Sequence, residues 1–346
     1  MTTASQTALL LDRPAQPAEL ADALRLGQAP VVEPGAGQVR LRVAAVGLNP
    51  VDWKVARAGS DAWTWPHVLG LDVAGTVDAV GPGVSEARPD LEPGQRVALH
   101  HDLRAPGGLQ ETVVVDALAV AHVPDAVSLA DAAALPCAGM TAYQALVRLH
   151  AGEEQTVLVT AGAGGVGGYA VQLARLMGAR VIATASPEKA DSVRALGADE
   201  VLDYRALGSP EAVARAARAL TPDVRGVDGV LDVLSSESAT ANLGALAFNG
   251  GLAYVGGRPD LSAVPGFTVS PSLHEVSLGA AYSAGTSRDR LVLAVMLTSL
   301  LGMVESGDLD PRVTTRVDLA DVPAAFEAFA SGHAMGKTVA VLAPSA

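Results

Sequence analysis

Between Thr156 and Thr184 the chain reads as strand, glycine turn, helix, strand. The segments are the apolar run Thr156 to Thr160, the turn Ala161-Gly-Ala-Gly-Gly-Val-Gly167, the run Gly168 to Met177 and the β-prone run Val181 to Thr184. Gly162, Gly164 and Gly167 fit the spacing GxGxxG, with Ala163, Gly165 and Val166 between them. That spacing serves a tight turn, close backbone approach to a pyrophosphate, and close packing of helix on strand. A phosphate there would meet free backbone N–H groups at a helix N-terminus, where the helix dipole favours an anion. A glycine run alone marks only a turn; here the strand before it and the helix after it supply the context that a dinucleotide site requires.

The residues after the second strand bear on which dinucleotide. An acidic residue about twenty positions beyond the glycines would hydrogen-bond the ribose 2′-OH of NAD. This chain carries Ser186-Pro187-Glu188-Lys189 instead. A hydroxyl and an ammonium suit a 2′-phosphate, which points to NADPH. Two other readings stay open: Ser186 as a helix cap with Lys189 as a solvated lysine, and Glu188 as an acceptor for NAD.

Composition narrows the partners. A chain of 346 residues, 49% hydrophobic and 18% charged, has material for more than one core, so two domains are expected. A formal net charge of −13 supplies no basic field for nucleic acid or an anionic membrane. A small hydrophobic electrophile fits better as partner. The apolar run Leu291 to Val304 is too short for a bilayer and is read as a buried helix. The N-terminal residues lack the pattern of a secretory signal, and the single cysteine, Cys137, allows no internal disulfide. A cytoplasmic location is therefore expected.

Along the chain, strand patterns at Gln38–Val46, Val68–Val80, Gln95–Leu99 and Glu111–Val115 are separated by Gly/Pro turns and predict a β-rich domain. From Asp131 the pattern alternates helix and strand, with strands at Glu200–Asp203, Gly229–Val233, Leu252–Val255 and Val276–Gly279. Helices are expected at Ser209–Leu220 and Ser238–Ala247. This predicts a doubly wound parallel sheet. A helix at Asp289–Glu305, another at Val322–Ala330, and a closing strand at Lys337–Val341, preceded by Gly332 and Gly336, are expected to return to the first domain.

Five segments in order carry a family resemblance: Val46 to Lys54, Leu69 to Asp78, Leu135 to Tyr143, the glycine loop, and Leu196 to Tyr204. With these the chain resembles the medium-chain dehydrogenase/reductase superfamily, in its zinc-independent quinone and enone oxidoreductase branch. The resemblance implies an α/β protein: a GroES-like β-rich catalytic domain from residues 1–128 and 286–346, and a Rossmann dinucleotide domain from 129–285. It implies that Lys189 and Tyr204 flank the adenosine 2′-phosphate of NADPH, and that Thr141 lies near the nicotinamide ribose. It also implies a homodimer paired through a sheet edge, which the pattern places at Val276–Ala281.

Relatives with catalytic zinc hold it on Cys, His and Cys. Asn49 stands at the first position and Leu71, beside Asp72, at the second, leaving only Cys137, so no metal is expected. His67, Asp72, His100 and His101 are the alternative ligand candidates; His100 and His101 are adjacent on a strand end and should face opposite ways. Without a Lewis acid, reduction of a conjugated carbonyl is the less demanding chemistry. Lys54, then Asn49, are the candidate donors to a developing enolate, with Asp52 completing the catalytic set. Lys54 as a surface lysine paired with Asp52 is the plainer alternative. Trp53, Trp65, His67 and Asp72 are candidates for a hydrophobic substrate pocket. The expected activity is NADPH-dependent reduction of quinones or α,β-unsaturated ketones. Direct carbonyl reduction, as in an alcohol dehydrogenase, and a non-catalytic NADPH sensor are the alternatives.

Overall fold

The computed structural model describes residues 4–16, 19–330 and 335–342. The chain divides into two compact units, one of residues 1–140 with 278–346, the other Thr141–Ser277. Gly332, and with it His333, lies outside the described residues.

The first unit begins with β1 (Ser5–Leu11), β2 (Leu24–Pro30), β3 (Gln38–Leu48), β4 (His67–Val68) and β5 (Asp72–Val80). It continues with β6 (Arg96–His100), β7 (Thr112–Asp116) and β8 (Ala121–His122). In β3 the alternation Val39, Leu41, Val43 buries one face, as the sequence pattern requires. The run expected as one strand from Val68 to Val80 is broken at 69–71. That stretch bonds instead to the 107–109 segment: Leu109 N donates to Leu69 O, and Gly108 N to Gly70 O. The core of this unit gathers Leu9, Leu11, Leu41, Leu99, Leu109 and Phe326. Each such side chain contributes roughly 1.5–3 kcal/mol by burial.

The second unit holds β9 (Thr156–Val159), β10 (Arg180–Ala185), β11 (Glu200–Asp203), β12 (Val227–Asp232), β13 (Leu246–Tyr254) and β14 (Ser272–Glu275). All neighbours are parallel, in the order β11-β10-β9-β12-β13-β14. Numbered within the unit this is 3-2-1-4-5-6, the Rossmann order. Its core includes Leu158, Ile182, Val230, Leu246 and Leu252.

Three expectations are corrected here. The last strand is Ser272–Glu275, not Val276–Gly279, so the sheet edge is not at Val276–Ala281. Val276 and Leu278 are apolar because they fill the core from a loop, whereas the true strand, Ser-Leu-His-Glu, is polar and partly exposed. The Ala-rich run from Ser238 to Ala247 is helical only to Asn242, after which a 3-10 turn leads to β13 at Leu246, which pairs with Val227. The helix Ser287–Glu305 buries Leu293, Leu297 and Leu300 but leaves Val295 62% exposed, so its apolar sequence does not mean full burial. No helix among the described residues is long and apolar enough to cross a membrane.

The chain then returns to the first unit. β16 (Lys337–Val341) pairs antiparallel with β3 and parallel with β15 (Val313–Val317), giving a seven-stranded sheet in the order β15-β16-β3-β5-β6-β8, with β7 also on β3. The unit boundary falls at Met140, beyond the expected residue 128, because the helix Leu129–Ala134 packs on β3, β5 and β16. The fit is close at Gly47: a Cβ there would stand 2.0 Å from the Ala133 carbonyl oxygen.

Gly47→Ala is therefore expected to push this helix off β3 and destabilise the protein by about 1–3 kcal/mol or more. Thermal unfolding of the variant checks it; an unchanged Tm would show that the helix yields freely.

Candidate active site

In the second unit the glycine loop leaves the carboxyl end of β9 between β10 and β12. Ala161 N donates to Thr184 Oγ1 at 2.9 Å and Gly162 N to Thr184 O at 2.8 Å, which pins the turn against β10. Thr160 Oγ1 accepts from Val233 N at 3.0 Å, which ties it to β12. Gly164 is the extended N-cap of the helix Gly165–Leu176. A Cβ on Gly167 would lie 2.2 Å from Ala161 O, so only glycine lets this helix sit on the turn. The first N–H groups of the helix have no intrahelical acceptor, and they lie at the switch point of the sheet. Ala163 lies on the turn, and Gly165 and Val166 open the helix. Thr141 is buried on the helix Pro136–Arg148.

Parallel pairing of Ala185 with Asp203 sets the ends of β10 and β11 side by side. Ser186 is buried and makes no side-chain cap, so the capping alternative is not realised. Lys189 is half-buried at the end of the turn Pro187–Lys189, and Tyr204 is exposed. Sequence reasoning missed Arg205. Its guanidinium stands 5.8 Å from the Tyr204 ring centroid and donates to Glu188 Oε1 at 2.8 Å. The acid that kept NAD as an alternative is thereby engaged by a cation.

In the first unit a buried polar cluster forms where β3, β5, β6 and β16 meet. Asp72, fully buried at the start of β5, lies opposite His100 at the end of β6. Its Oδ1 is 2.9 Å from His100 Nδ1, and because a carboxylate only accepts, Nδ1 carries the hydrogen. Cys137 N donates to both oxygens, at 2.9 and 3.0 Å, and Asn49 Nδ2 donates to Oδ2 at 2.8 Å. Lys337, 3% exposed on β16, donates to Asn49 Oδ1 at 2.5 Å and to Leu48 O at 3.3 Å, and lies 3.8 Å from Asp72 Oδ2. Such a cluster is stable because each charge has a partner; removing one typically costs 3–5 kcal/mol. Nothing in the sequence singled out Lys337, which reads there only as the first residue of a strand.

Two expectations change. Asn49 is not a free donor: its amide N–H groups go to Asp72 and Gly47 O, and its oxygen is taken by Lys337. Asp72 exposes none of its surface and organises the cluster instead of lining a pocket. Asp52 is also buried. It accepts from Asn49 N at 2.8 Å through Oδ2, while Oδ1 has no partner among the described residues. Burial, with the Asp72 charge adding to it, pushes its carboxyl up to about 7.

Lys54 does not join these groups. Asp52 and Ala56 form the buried face of the helix Pro50–Ala58, and Lys54, two residues from each, is exposed with its ammonium 5.9 Å from the Trp53 ring centroid. It makes no ion pair with Asp52. Trp53 packs against the core. Trp63 stacks on His67 with centroids 4.0 Å apart and donates to Leu103 O at 2.7 Å, while Trp65, edge-on to Trp63, is 41% exposed. Burial, then His101, lowers His67 to about 4.

One ligand atom each from Asp72, His100 and Cys137 lies within 4.8 Å of the others. The set does not fit zinc. Both Asp72 oxygens are already accepting hydrogen bonds, a dication would face the Lys337 ammonium, and the thiol that zinc needs ionised is pushed up by burial and by the Asp72 charge.

Residues 35–125 match the family model described as alcohol dehydrogenase GroES-like domain, and residues 165–292 match zinc-binding dehydrogenase. A chloroplastic quinone-oxidoreductase, QR1, of Triphysaria versicolor is 30% identical over 327 residues, covering 90% of this chain and 92% of the relative. Polyketide synthase GfsB of Streptomyces halstedii is 38% identical over 312 residues, 89% of this chain but 5% of the synthase. The crystal structure of CurK enoyl reductase superposes with a TM-score of 0.82 at 26% identity, covering 98% of this chain and 99% of that one.

Asp52 generates a pH prediction. Its folded-state pKa of about 7 lies above the ordinary 3.8, so the folded chain keeps a proton that the unfolded chain releases. That contribution is fully present below about pH 4 and is lost as pH rises through 7, on the order of 4 kcal/mol in all. Asp52→Asn keeps an oxygen for Asn49 N and removes the titration. Urea unfolding from pH 4 to 8 should show wild type losing stability relative to the variant; parallel curves would mean that Asp52 titrates normally.

Proposed function

Since the chain belongs to the quinone oxidoreductase branch of the medium-chain dehydrogenase/reductase superfamily, whose members bind a nicotinamide cofactor, we propose that it reduces quinones or α,β-unsaturated ketones with NADPH and without a metal. The observation that carries the reading is the closed Asp72 cluster, where an ammonium occupies the electrostatic place a metal would need. Reduced nicotinamide supplies a hydride when bound. The chain's own part is to hold the pyrophosphate on the N–H groups of the Gly165–Leu176 helix and to keep that helix close through Gly167.

NADPH is favoured over NADH by the surroundings of Lys189 and Tyr204. Arg205 engages Glu188, so the acid is offset, and Lys189, Tyr204 and Arg205 together offer cations and donors to a 2′-phosphate. Conjugate reduction is favoured over direct reduction of C=O because an enolate spreads its charge and needs no Lewis acid, whereas an alkoxide is usually stabilised by one. The superposition on an enoyl reductase supports the same side.

The test is oxidation of NADPH and NADH by chelator-treated protein against a quinone, an aliphatic enone and a simple aldehyde, with products identified by mass spectrometry. Turnover of quinone or enone without added metal is expected. Turnover confined to the aldehyde would move the assignment to carbonyl reduction, and cofactor binding with no turnover would move it to a sensor. In the same assay Lys189→Ala should raise KM for NADPH about tenfold or more while changing KM for NADH little. Equal losses would remove Lys189 from the 2′-phosphate site.

A further inference from the structure

We propose that the Glu188–Arg205 ion pair sets cofactor selectivity as a switch. Glu188 competes with a 2′-phosphate for Arg205 and itself accepts from the ribose 2′-OH of NADH, so that the protein takes both cofactors. The proposal rests on the NADPH reading above and names the residue that opposes it. Every side chain it invokes belongs to the second unit.

A dinucleotide fold reads the adenosine ribose in one of two ways. An acid about twenty residues beyond the glycines accepts from a 2′-OH, or an arginine nearby engages a 2′-phosphate. This chain carries both, bound to each other. Glu188 stands about that far beyond Gly167, on the turn that follows β10, and Arg205 follows β11. Pairing of Ala185 with Asp203 makes these two segments leave the sheet side by side, and Arg205 Nη1 donates to Glu188 Oε1 at 2.8 Å. The other acid at this edge, Asp203, is occupied differently. Its Oδ1 accepts from Arg205 N at 2.9 Å and from Ala206 N at 3.2 Å, capping the short helix Tyr204–Leu207. Asp203 thus fixes the Arg205 backbone, and Glu188 is the acid that holds its guanidinium.

The Arg205 side chain is 53% exposed and that of Glu188 55%. An ion pair so open to water is weak, and a phosphate, with more charge than a carboxylate, is the stronger partner for a guanidinium. Glu188 keeps its charge while it waits: its own backbone N–H, the Ser186 hydroxyl and Arg205 hold its carboxyl below the ordinary range. NADPH must therefore break one ion pair to form another. NADH meets an acceptor already in place and leaves the pair intact.

The test measures Kd for NADPH and NADH by fluorescence titration of the whole chain. Both substitutions are at exposed side chains, so neither empties a core. Glu188→Gln should tighten NADPH about threefold and weaken NADH by about the same factor. Arg205→Ala should weaken NADPH about tenfold and NADH little. It should also cost NADPH more in the Glu188→Gln background than in the wild-type one, because the acid no longer competes for the guanidinium. Kd values that Glu188→Gln leaves unchanged overturn the switch. So does an Arg205→Ala cost that is equal or smaller in the Glu188→Gln background, since Arg205 would then only screen the acid. In either case a wild-type preference for NADPH leaves the reading above standing. Tighter binding of NADH than of NADPH by wild type and Glu188→Gln alike overturns both.

Discussion

The first unit depends on how one buried carboxylate is satisfied. Asp72 has no exposed surface, and an ionised carboxyl in that position would be prohibitively costly unless hydrogen-bonded and paired. The chain meets this need from four directions: Asn49 after β3, His100 on β6, the Cys137 backbone, and, at longer range, Lys337 on β16. Residues 49 and 337 are separated by nearly the whole chain, so the closing strand is held to its sheet by charge as well as by its ladder to β3. The same interactions engage both the amide and the oxygen of Asn49.

The second unit depends on close backbone approach. Strand order places the turn after β9 at the reversal point of the sheet, between β10 and β12, and Gly167 lets the following helix sit on it. On the proposed function, packing and binding share one cause: the glycine that brings helix and turn together also sets the helix N-terminus where a pyrophosphate would lie. The ends of β10 and β11 lie alongside each other, which brings Glu188 and Arg205 into contact.

Much of the fold was legible because its signals are local. The glycine spacing, the alternation in β3 and the closing strand each follow from neighbours in sequence. The misreadings share a reason. Val276 and Leu278 are apolar without being strand, and Ser272–Glu275 is strand without being apolar, because burial of a residue depends on what lies over it in space. The alanines after Asn242 permit a helix, but pairing of Leu246 with Val227 prevails. The ion pair with Asp52 that the sequence allowed for Lys54 does not form, because helical rotation sets Lys54 away from the buried face that Asp52 occupies.

By itself the sequence determined that this chain builds a dinucleotide-type βαβ unit and a separate β-rich domain, since helix and strand periods and glycine turns are properties of short segments. Its resemblance to zinc-holding relatives sets Asn49 and Leu71 at positions where those relatives carry ligands. Only the tertiary structure decided which side chains meet: Lys337 against Asn49 and Asp72, Asp72 against His100, and Arg205 against Glu188. These are contacts between side chains that meet only once the strands are in register, and hydrogen-bond energy depends on that final geometry, which no local pattern encodes.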